Sequence, residues 1–79
     1  MEYDSEKVDE MTLALLYLTM VPDGSGMRAW KGADWDTLRR LHEKGYISDP
    51  KSAAKSVIIG EEGVKRSEEL FRKYFGKAA

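Results

Sequence analysis

Arg39, Arg40, Lys51 and Lys55 are the clearest chemical grouping in this chain. Two adjacent guanidinium groups, followed a short way on by two ammonium groups, suit contacts to phosphate oxygens. The charge distribution points the same way. Residues 1–26 carry one base and six acids, net −5. Residues 27–60 carry seven bases and four acids, net +3, and residues 61–79 are net +1. The whole chain is −1, so no overall field draws it to nucleic acid or to an anionic membrane. Asp36 and Glu43 share the exposed side of a helix with Arg40 and dilute its basic character.

Little else in the sequence can do chemistry. His42 is the single histidine, and there is no cysteine. One imidazole with no nucleophile beside it makes no base–nucleophile pair, and it cannot make a multi-histidine metal site. Lack of cysteine excludes disulfides and thiolate zinc sites. His42 therefore reads as a packing or hydrogen-bonding residue. Pro22-Asp23-Gly24-Ser25-Gly26 has the small residues of a phosphate-cradling loop but not the spacing or the Lys-Ser/Thr of a P-loop. It reads as a flexible connection that ends a helix. No catalytic residue, metal ligand or cofactor is expected; the chain should act by binding and not as an enzyme.

The elements that would position these residues follow from the apolar pattern. Seventy-nine residues make one domain, 1–79, with a small core. Met11 to Val21 is the most apolar run, and Tyr3 to Met20 reads as the first helix, with Asp4 as its N-cap. Met11, Leu15 and Leu18 form one stripe; Leu13, Leu16 and Met20 form another roughly opposite. A helix apolar on both sides needs cover on both. The expectation is that Met11, Leu15 and Leu18 face inward, and that Leu15, Leu18, Trp35, Leu38, Ile47, Ile59 and Phe71 pack together. Leu13, Leu16 and Met20 would then form the interface of a homodimer. The run is too short to cross a bilayer, and the acidic residues before it do not read as a signal peptide. The reading is a cytoplasmic protein that binds itself and a protein partner, with no membrane association.

Farther along, Met27 to Lys31 suits an edge strand, and Asp34 suits the N-cap of a helix over 35–44. Gly45 fits the left-handed position after that helix, with Leu41 and Tyr46 in contact across it. Tyr46 to Ser48 and Ser56 to Ile59 have strand character and should form a hairpin with a long tip over 49–55. A last helix runs from Glu61 to about Phe75, with Gly76 as its stop. The expected fold class is α+β: three helices with a small antiparallel hairpin or three-stranded sheet.

Two resemblances follow from these motifs. Leu38-x-x-Leu41-x-x-Lys44-Gly45-Tyr46-Ile47, a hairpin, and Val57-Ile58-Ile59-Gly60-Glu61-Glu62-Gly63 entering a helix resemble the winged-helix domains of bacterial regulators. That resemblance implies a DNA-binding alternative, with helix 35–44 as recognition helix and 49–55 as wing. Residues 22–34 are too short and glycine-rich for the supporting helix of such a motif, so that helix is reduced or missing. The whole chain is also similar to a small bacterial family of uncharacterised proteins about this long. Its Trp-Lys-Gly, Asp-Trp-Asp, Leu-His-Glu-Lys-Gly-Tyr-Ile-Ser-Asp-Pro and Glu-Glu-Gly runs stand at 30–32, 34–36, 41–50 and 61–63.

Overall fold

A computed structural model describes residues 1–24 and 26–78. The chain order is α1 (Ser5–Thr19), β1 (Val21–Asp23), β2 (Gly26–Trp30), α2 (Trp35–Glu43), β3 (Ser56–Ile59) and α3 (Glu61–Phe75). The fold is α+β, with three helices and one antiparallel sheet in the order β1-β2-β3. Ile47 adds an isolated bridge to Ile59 on the outer side of β3. That arrangement of β2, β3 and residue 47 is compatible with a winged-helix sheet. The segment before α2 holds a hairpin and not a supporting helix.

The caps explain the helix limits. Asp4 accepts from the Lys7 amide at 3.1 Å, and Asp34 accepts from the Thr37 amide and hydroxyl, both at 3.1 Å. α2 ends in a Schellman motif: the Gly45 amide donates to the His42 carbonyl and the Tyr46 amide to the Leu41 carbonyl. Gly45 has φ of 84°, which a residue with a Cβ rarely adopts.

Pro22 and Asp23, expected in a turn, lie in β1, where Val21 faces Arg28 and Asp23 faces Gly26. Proline is tolerated because β1 is an edge strand. Gly24, with φ of 63°, follows β1 in the left-handed region that glycine favours; Ser25 lies outside the described residues. Tyr46 to Ser48, expected to be a strand, contributes only the Ile47 bridge and a hydrogen bond from the Ser48 amide to the Ile58 carbonyl.

One face of the sheet meets the helices. Ala29, Val57 and Ile59 point inward and join Leu13, Ala14, Leu16, Leu38, Leu41, Ile47 and Leu70 in the core. Arg28, Trp30 and Ile58 alternate to the other, uncovered face. The molecule is 18 Å along its thinnest axis, as two layers require.

The core corrects the expected orientation of α1. Leu38, Ile47 and Ile59 are buried as expected, and Phe71 packs on the core while half-buried. Leu15, Leu18 and Trp35 are exposed instead, and Leu13 and Leu16 are buried. The physical reason is that α2 and α3 both dock on the same half of α1. α2 reaches it through Asp9, and α3 reaches it through Glu10 and Tyr17.

Candidate functional site

Asp9 lies on the inward face of α1, in line with Leu13 and Leu16, and is 1% exposed. Arg40 on α2 and Lys44, its C-cap one turn on, close over it. The Arg40 Nε donates to both Asp9 oxygens, at 2.8 and 3.0 Å, and its Nη2 reaches the Thr37 hydroxyl at 3.2 Å. Lys44 Nζ donates to Asp9 Oδ2 and to Glu6 Oε2, each at 2.9 Å. The hydrogen bond to Asp9 raises the Arg40 pKa above its ordinary value, against the effect of burial. Burial works against the charge on Lys44 too, but its hydrogen bonds to Glu6 and Asp9 outweigh that effect, and the pKa is raised. Every charge here is answered by another, which suits a clasp between helices and leaves nothing free for a substrate.

This cluster removes Arg40 from the expected phosphate contacts, because its guanidinium is committed to a buried carboxylate. Arg39 is exposed but pairs along its own helix with Asp36 at 3.6 Å and Glu43 at 2.9 Å. Arg39 and Lys51 line one hollow of about 250 Å³ with Trp35, but Glu43 and Asp49 line it as well. Lys55 belongs to a different hollow. The four bases therefore do not form one surface. His42 donates through Nδ1 to the Ile47 carbonyl at 2.9 Å, bracing the chain after α2.

The second hollow lies beside the uncovered sheet face and measures about 320 Å³. Thr19, Val21, Ala29, Trp30, Ala54 and Ser56 line it, with Arg28 and Lys55 as its charges. The loop carrying Lys55 is tied down. Lys31 Nζ donates to the Pro50 and Ser52 carbonyls at 2.8 and 2.5 Å, and the Lys31 amide donates to the Lys55 carbonyl at 3.1 Å. Arg28, Trp30 and Lys31 were not singled out from the sequence. The alternation of Arg28 and Trp30 around the small Ala29 was the available signal.

The third feature is the outer side of α1. Leu15 is 50% and Leu18 66% exposed. With the half-buried Val8 and Met11 they follow the 3-4-3 spacing of a coiled-coil seam. Ala14, Thr12 and Thr19 flank that seam, and Lys7, also beside it, donates to the Tyr74 hydroxyl at 3.1 Å. Leu13 and Leu16, expected at a dimer interface, are spent inside the monomer, and Met20 packs against the same core. They cannot meet a second copy unless the domain opens.

No helix among the described residues is long and apolar enough to cross a membrane. Among those residues no group of three His, Asp or Glu could hold a metal ion. The comparisons with known proteins agree on the chain's kinship. It is 51% identical over 75 residues to "Uncharacterized protein y4hR" of Sinorhizobium fredii (strain NBRC 101917 / NGR234), covering 95% of this chain and 97% of that protein. No solved structure matches it. The family model of a domain of unknown function matches residues 4–77, and the chain belongs to that family, DUF6429.

Proposed function

We propose that this chain is a non-catalytic interaction domain of the bacterial cytoplasm that self-associates through the outer side of α1. The observation that carries this reading is the exposure of Leu15 and Leu18 on a helix whose other side is already buried. Exposed leucines scattered singly would need no explanation. These two continue a Val8, Met11, Leu15, Leu18 seam at the spacing by which one helix meets another.

A second copy suits the seam for two reasons. The stripe is self-complementary about a twofold axis, because apolar meets apolar. Thr12 and Thr19 beside the stripe are uncharged, so two copies meet without like-charge repulsion along Met11, Leu15 and Leu18. Four side chains on each partner is far below the roughly 20–30 residues of a standard interface. The dimer is therefore a weak one, populated in the high micromolar range.

Sedimentation equilibrium across that range tests the reading. The wild-type chain should show a concentration-dependent rise toward twice its mass. Leu18→Glu should remain monomeric and folded by circular dichroism, since its side chain leaves the core untouched. A wild-type monomer at every concentration would overturn the proposal.

A further inference from the structure

The hollow beside Trp30 is a site of its own, and we infer that it takes a nucleotide, with the base against the Trp30 indole and the phosphate between Arg28 and Lys55. Trp30 is 70% exposed, the most exposed aromatic side chain among the described residues. A large aromatic ring held open to water is poorly placed for stability and well placed for stacking. Arg28 and Lys55 are exposed and line the same hollow. Among the described residues neither has a carboxylate within ion-pair distance, whereas Arg39, Arg40, Lys44, Arg66 and Arg72 all do.

No acid lines the hollow, so its charge is complementary to an anion. The remaining lining is apolar or small: Val21, Ala29, Ala54, Thr19 and Ser56. A ligand with a flat apolar part and an anionic part answers both halves. The volume, about 320 Å³, is at the lower end of small-molecule pockets and leaves room for one nucleotide unit. The walls are also set in advance. Lys31 fixes the loop through the Pro50 and Ser52 carbonyls, and its amide holds the Lys55 backbone beside β2. Ordering this loop is therefore not a cost deferred to binding. A paired duplex hides its base faces, so the unit is either a free nucleotide or one residue of a single strand.

This site does not depend on self-association. The test uses the full chain carrying Trp35→Phe, so that emission reports Trp30 alone. It is titrated with adenosine monophosphate and, separately, with a ten-residue oligothymidylate. At least one should quench emission in a saturable way, and the quenching should weaken as salt is added. Quenching by adenosine monophosphate, with or without the oligonucleotide, identifies a free-nucleotide site, and quenching by the oligonucleotide alone identifies a single strand. Arg28→Glu and Lys55→Glu should each weaken binding at least tenfold, with unchanged circular dichroism because both side chains lie on the surface. No saturable quenching by either ligand up to millimolar concentration would overturn the inference. So would quenching that both charge reversals leave intact.

Discussion

Asp9 and Arg40 stand 31 positions apart, yet the Arg40 Nε straddles both oxygens of the Asp9 carboxylate at 2.8 and 3.0 Å. The two ends of the pair are not equally buried, since the Asp9 side chain is 1% and the Arg40 side chain 21% exposed. Loss of either partner should therefore have unequal effects. Arg40→Met strands a buried carboxylate with Lys44 as its remaining cation, and should destabilise by about 3 kcal/mol. Asp9→Asn leaves two cations that can turn to water, and should cost less, about 1–2 kcal/mol. Urea denaturation of both variants checks the order. The reverse order would mean that the charge on Asp9 is not what holds α1 to α2.

Lys44 makes the same clasp sensitive to alkali. Its pKa is raised in the folded chain, so the folded state holds the proton more tightly than the unfolded state. That stabilisation is complete below the ordinary lysine value of 10.5 and is lost as pH rises through the raised value. The stability difference between wild type and Lys44→Met should be constant from neutral pH to about pH 10, then shrink at higher pH. Paired thermal melts across that range measure it. A difference that persists unchanged to pH 12 would show that the ammonium contributes nothing beyond packing.

Two glycines near Tyr46 should respond differently to alanine. Gly45 has open space around it and only its φ of 84° to lose, so Gly45→Ala should cost about 1 kcal/mol. A Cβ on Gly63 would sit 2.2 Å from the Tyr46 carbonyl oxygen, which is backbone and cannot swing aside. Gly63→Ala should cost about 3 kcal/mol, because α3 must draw away from the turn after α2. Chemical denaturation ranks the pair, and equal losses would place the close approach elsewhere.

The orientation of α1 makes an alanine pair informative as well. Leu13→Ala should cost about 2–5 kcal/mol, as for other buried leucines. Leu15→Ala should change monomer stability by no more than about 0.5 kcal/mol when measured at low protein concentration. Similar losses at the two positions would contradict the exposure of Leu15.

That inversion marks the limit of the sequence reading. The caps at Asp4 and Asp34, the ending at Gly45 and the span of α3 were legible because each rests on a local residue signature. The choice between the two stripes of α1 was not local. Asp9 lies in line with Leu13 and Leu16, and a carboxylate on that line gives no local sign of an inner face. Only the arrival of Arg40 and Lys44 from another helix makes that face the inner one. Val21 to Asp23 was hidden for a similar reason, since proline and glycine read as a turn until β2 is there to pair with. At the candidate sites, basic residues near in sequence were grouped together, but Arg40 turns to Asp9 and Lys55 joins Arg28 instead. Side chains thirty residues apart settle these pairings, and no window along the chain contains both.

The seam on α1 can also be tested for its direction. The chain has no cysteine, so a single introduced thiol reports one contact without background. In a parallel pair Leu15 meets the Leu15 of the second copy, within the distance a disulfide spans. Leu15→Cys should then oxidise to a covalent dimer under mild oxidant. In an antiparallel pair the seam is centred between Met11 and Leu15, so position 11 of one copy meets position 15 of the other. Leu15→Cys alone should then stay monomeric on a denaturing gel, while a mixture of Met11→Cys and Leu15→Cys chains should form the mixed dimer. Thr37→Cys supplies the control, because Thr37 lies on the buried face of α2 and cannot reach a second copy of the folded domain. Cross-linking at Thr37 as fast as at either seam position would mean that the disulfides report unfolded chain, and the seam would lose its support.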